Sequence, residues 1–142
     1  MKRRTAREKA LQSLFQVDLS KIEPQQAIRN VLGDKSGDLF LEKLVLGTTE
    51  NLAAIDEVIS KNLEKWTIER LGNIDRTILR LATYEMLYLE DIPYNVSIDE
   101  AIELAKKFGD QNSSKFINSV LSKIKQNIET KLGGTTNDSK NN

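Results

Sequence analysis

Neither cysteine nor histidine occurs in the 142 residues. That excludes disulfides, Cys/His zinc sites, thiol nucleophiles and histidine-dependent triads within this chain, and with them most routes to catalysis. Prolines number only two and glycines seven, too few to punctuate a succession of short strands and turns. The apolar runs extend a few residues, far below the roughly 20 needed to span a bilayer. The basic start also lacks the apolar stretch of a signal peptide, so a cytoplasmic protein is expected. Net charge is absent as well: 21 basic residues balance 21 acidic ones, which does not mark a general nucleic-acid binder.

The distribution of charge says more than its sum. Lys2, Arg3, Arg4, Arg7 and Lys9 stand against a single Glu8 in the first nine residues, leaving 16 basic and 20 acidic residues elsewhere. One end of the chain is polarised.

Apolar residues recur at spacings of three and four, which predicts helices throughout and no strand. A first helix from about Arg3 to Leu19 carries Ala6, Ala10, Leu11, Leu14 and Phe15 on one stripe. A second follows Pro24, a residue suited to a first turn, and ends at Gly33. Leu41, Val45, Thr48, Leu52, Ile55 and Ile59 predict one long third helix over about Asp38 to Leu63, the expected central strut. A short turn near Ile68 to Leu71 precedes a helix from Ile74 to about Glu90, which Pro93 stops. Ser97 and Glu100 have capping-box spacing, so a helix is expected to start there and to end at Gly109. The last helix runs from about Ser113 to Glu129. The expectation is a single all-α domain, a bundle of about seven helices over residues 1–132, followed by a disordered polar tail over 133–142.

On a helical wheel Arg3, Arg4 and Arg7 fall on the side of Leu11, Leu14 and Phe15. The basic patch thus continues the core stripe, and its side chains are expected to overhang the rim of the bundle. Cations in a first helical turn are disfavoured by about 0.3 to 1 kcal/mol each, because the helix N-terminus is itself partly positive. A local rule broken in this way marks a place where a bound anion offsets the cost. A solvated, frayed basic start is the competing reading.

Phe116 fits two roles. It belongs to the apolar stripe through Val120 and Ile124, yet the polar segment from Gln111 to Lys115 leaves one ring edge near solvent, where a base would stack. Asn112, Ser113, Lys115 and Asn118 supply donors beside it. Glu85 lies at the centre of the apolar face made by Ile74, Ile78, Leu81, Ala82 and Leu89. An unpaired charge there is costly, so a hydrogen-bonding helix start or a cation is expected opposite it, in a structural role. Asp75, Arg76 and Arg80 flank that face as solvated surface or as a polar rim for a partner.

Four blocks, RRTAREKALQSLFQ, LGNIDRTILRLATYEML, IPYNVSIDEAIELAKKFG and SSKFINSVL, resemble the NusB family of transcription antitermination factors in the same order, from Arg3 to about Ile128. The resemblance implies a seven-helix NusB-like fold, no catalysis and no cofactor or metal. It implies joint binding of the single-stranded boxA element of nascent ribosomal RNA with the ribosomal protein NusE, within a larger assembly of other Nus factors and RNA polymerase. Carried over by position, Lys2, Arg3, Arg4, Arg7, Phe15, Asn112, Lys115 and Phe116 would contact RNA, and Asp75, Arg76 and Glu69 would contact NusE. A homodimer of the free protein is compatible with it. Two other readings are a scaffold that holds NusE without touching RNA, and a relative of the accessory RNA-binding domain of RNA cytosine methyltransferases. Against the latter's chemistry, the chain has no glycine-rich cofactor loop and no cysteine.

Overall fold

The computed structural model describes residues 1–131, and the tail expected over residues 133–142 lies outside the described residues. Seven α-helices and one 3-10 turn make up the regular structure among these residues. They are α1 (Arg3–Ser20), α2 (Pro24–Leu32), α3 (Leu39–Glu50), α4 (Leu52–Lys61), the turn Ile68–Arg70, α5 (Asn73–Tyr88), α6 (Tyr94–Phe108) and α7 (Ser113–Lys131). The all-α expectation holds, with the seven helices partitioned differently from the pattern-based reading.

The predicted third helix is two. Its apolar spacing continues unbroken, but Asn51 leaves helical geometry at φ −112° and ψ 20°. The Asn51 side-chain amide donates to the Gly47 carbonyl at 2.8 Å, while its own backbone N–H donates to the same oxygen at 3.1 Å. Local side-chain competition of this kind is why asparagine disfavours helix interiors.

The central strut is therefore α5, which touches α1, α3, α4, α6 and α7. A run from Thr77 to Met86 along it is buried, except Arg80, which is half-buried. Burying each large aliphatic side chain of such a core contributes about 1.5 to 3 kcal/mol. Gly47 lets α3 approach α5 closely, because a methyl group there would overlap the Tyr84 ring.

The expected start of α6 is also corrected. Pro93, at φ −59°, takes the N-cap position and the helix begins at Tyr94, so Ser97 and Glu100 are one and two turns inside it. Neither caps the helix. Ser97 bonds Glu85 of α5 and Glu100 bonds Arg4 of α1 instead, and that difference builds the site.

Candidate nucleic-acid interface

Arg7 and Arg4 make the same kind of bond at different depths. Arg7 is 3% exposed. Its Nε donates to Glu85 Oε2 at 3.0 Å and its Nη2 to Oε1 at 2.8 Å, and the Ser97 hydroxyl donates to the same Oε1 at 3.0 Å. The buried carboxylate has the cation its position demanded, with a serine hydroxyl added. This corrects the expectation that Arg7 overhangs the rim. Spacing of three to four residues gives a shared face but not a shared depth, and Arg7 stands one turn deeper, where α1 meets α5 and α6.

Arg4 remains at the surface, its side chain 60% exposed. Its Nε and Nη2 donate to the two oxygens of Glu100 at 3.1 and 2.7 Å. The hydrogen bonds from Arg4, then the charges of Arg4 and Arg7, hold the Glu100 carboxyl below its ordinary range against partial burial. The same bond raises Arg4 above its ordinary value. Arg3 is also exposed, its guanidinium stacked 4.4 Å from the centre of the Phe40 ring and 3.8 Å from Asp91. Lys2, the N-cap residue of α1, has no cap bond and no side-chain partner among the described residues. Lys9 has left the basic set, donating to the last-turn carbonyl of Val31 in α2 at 3.1 Å.

The second cluster opens α7. Asp110 and Ser113 cap one another's turn: the Ser113 hydroxyl accepts from the Asp110 N–H at 3.1 Å, and the Asp110 carboxylate accepts from the Asn112 N–H at 2.8 Å. That turn points Asn112 and Lys115 outward, both exposed and without side-chain partners among the described residues. Phe116 is half-buried, packed against the core on one side. On the other it lines a cleft of about 170 Å³ with Leu63, Lys65, Trp66 and Lys123. Both roles read for Phe116 thus fit its position.

Trp66, 56% exposed in that cleft, was missed by pattern reading. Its signal was available. It is the sole tryptophan and stands between helices, in a segment with no apolar periodicity to claim it.

Phe15 lies apart from Phe116, in a groove of about 720 Å³ whose walls include Leu19, Ile74, Asp75, Phe108 and Ser113. One of the expected RNA residues and one of the expected partner residues therefore share a cavity. Arg76 points inward, donating to the Leu71 carbonyl and to Asp18, while Glu69 is exposed in the 3-10 turn. Arg80 is likewise engaged, with both Asp56 oxygens at 2.8 Å. Among the described residues no cluster of acidic side chains has the arrangement to hold a metal ion, and no helix is long and apolar enough to cross a membrane.

Comparison with known proteins matches this geometry. The NusB family model covers residues 4–126. The transcription antitermination protein NusB of Bacillus licheniformis is 59% identical over 129 residues, spanning 91% of this chain and all of that protein. The solved structure of T. maritima NusB superposes with a TM-score of 0.83 at 40% identity, covering 89% of this chain and 92% of that one. A NusB chain solved with NusE and double-stranded RNA superposes at 0.80 and 31% identity, covering 88% and 96%. With its ordered helices, its basic α1 start and these relatives, the chain belongs to the NusB family.

Proposed function

We propose that this chain is a transcription antitermination factor of the cytoplasm that binds the boxA element of nascent ribosomal RNA jointly with NusE and catalyses no reaction. The observation that carries the reading is the exposed cationic turn Lys2, Arg3 and Arg4, held at the end of a helix that Arg7 fastens to the core, in a member of the NusB family. Phosphate contacts belong to that turn. Asn112 and Lys115 add donors at the start of α7, and Phe116 offers a ring face. Arg7 positions the helix and touches no RNA. Phe15 and Asp75, sharing one groove, form a boundary where RNA and NusE contacts meet, with exposed Glu69 on the NusE side. Arg76 supports that surface through its bonds to Asp18 and Leu71.

Arg3 and Arg4 each already have an internal carboxylate within reach, so the chain alone binds RNA weakly and the heterodimer binds it tightly. Affinity for boxA and scrambled RNA, with and without NusE at two salt concentrations, tests this. The reading expects NusE to increase the preference for boxA. Equal affinity for both RNAs in every condition contradicts it and leaves the scaffold reading.

A further inference from the structure

The two cationic candidate regions, at the starts of α1 and α7, are joined by a seam between α1 and α6. These helices run in the same direction and are bridged by side chains, since Arg4 meets Glu100, Glu8 meets Lys107, and Phe15 shares a groove with Phe108 and Ser113. From Arg4 to Phe15 the seam covers about 16 Å along α1. Its upper part is a cleft of about 290 Å³ lined by Arg4, Glu8, Glu100, Glu103, Lys106 and Lys107.

Three cations and three carboxylates share that cleft, and they pair completely. Arg4 bonds Glu100, Lys107 bonds Glu8 at 2.9 Å, and Lys106 approaches Glu103 at 3.4 Å. Lys106 and Lys107 occupy the last turn of α6, where cations suit the helix dipole, so folding tolerates them there. The Lys107 ammonium also lies 5.6 Å from the centre of the Phe108 ring, a residue that lines the lower groove. All three cations are exposed, although the Glu8 and Glu100 side chains are half-buried, and pairs whose cation is open to solvent exchange readily because they contribute little to stability.

We propose that the seam is a backbone track for single-stranded RNA, with Lys106 and Lys107 as phosphate contacts and with Glu8, Glu100 and Glu103 as internal stand-ins that RNA phosphates displace. This rests on the RNA-binding reading above. Carboxylates already hold Arg4 and Lys107 at the 2.7 and 2.9 Å that a phosphate oxygen would take, so binding there replaces one anion by another with little rearrangement. The paired carboxylates also keep the seam neutral in the free protein, which limits attraction to RNA that lacks the right sequence.

Binding of boxA RNA to the full chain with NusE, measured across a salt series, tests the track. K106A/K107A is expected to weaken binding about 5- to 20-fold and to flatten the slope of log affinity against log salt by about 1.4, at about 0.7 per phosphate contact on a single strand. E8Q/E100Q is expected to tighten binding about 2- to 10-fold, since the carboxylates that hold Arg4 and Lys107 no longer compete. Thermal unfolding of each variant shows whether it is folded. An unchanged slope in folded K106A/K107A overturns the track, and if R3A/R4A still weakens binding the RNA-binding reading survives. Weaker binding by folded E8Q/E100Q overturns the stand-in role. Absence of RNA binding by the wild-type chain overturns the reading and the track together.

Discussion

Two arginine–carboxylate pairs stand one turn apart on α1, with nearly the same bonds and opposite surroundings. The Arg7–Glu85 pair is 4% and 2% exposed by side chain, whereas Arg4 is 60% exposed and Glu100 16%. Both pairs are bidentate. Depth divides their work: the inner one joins α1 to α5 and, through Ser97, to α6, while the outer one holds a guanidinium at the surface. An arginine-rich helix start is therefore not a uniform basic patch. A basic motif read as a block overlooks that one of its side chains lies in the core.

The largest effect follows from breaking the inner pair. E85A leaves the buried Arg7 charge with only Glu100, 3.8 Å away, and is expected to destabilise the fold by about 3 to 5 kcal/mol, measured by urea unfolding. A double R7M/E85L variant is expected to recover most of that loss, because replacing both members with apolar groups removes the desolvation cost. If E85A alone unfolds at the wild-type urea midpoint, the inner pair does not anchor α1.

Next in size is F116A. Loss of one stacked base is worth about 1 to 3 kcal/mol of RNA affinity, and a fall of that size with an unchanged salt slope separates stacking at α7 from charge at α1. Quenching of the sole tryptophan, Trp66, gives a binding signal from the same cleft. An equal loss of stability and no loss of affinity would assign Phe116 to the core alone.

The outer pair is expected to count for little in folding. E100Q should change stability by about 1 kcal/mol at neutral pH, far less than E85A, because Arg4 is exposed although Glu100 is half-buried. The sign of its pH dependence is fixed by the direction of the shift. Glu100 is held below its ordinary range by Arg4 first, so its contribution is fully present above that range and disappears as pH falls through the lowered value. Asp38 behaves likewise, held down chiefly by the Leu41 N–H that it caps. Urea midpoints between pH 7 and pH 3 should therefore fall in the wild type, and slightly less in E100Q. A steeper fall in E100Q would contradict this assignment. The smallest effect belongs to K115A, expected to flatten the salt slope by about 0.7.

Much of this architecture follows from apolar spacing. The boundaries of α1, α2 and α7 were within two residues of the expectation, and Glu85 announced a partner because a carboxylate at the centre of an apolar face has no other stable arrangement. Three features were hidden for physical reasons. The break at Asn51 leaves the apolar period intact and depends on a side-chain amide competing for one carbonyl. Ser97 and Glu100 match a capping box in spacing, yet Pro93 starts the helix a turn earlier and leaves Ser97 to bond Glu85 and Glu100 to bond Arg4. The depth of Arg7 is a property of how three helices meet, which a wheel of one helix does not contain.

The most direct test of the account is the double variant R3A/R4A, leaving Arg7 in place, assayed for boxA RNA binding across salt with NusE present and for NusE binding separately. The account predicts an intact fold, unchanged NusE binding, RNA affinity reduced at least about tenfold and a salt slope flatter by about 1.4. Wild-type RNA affinity and slope in the folded variant would contradict it.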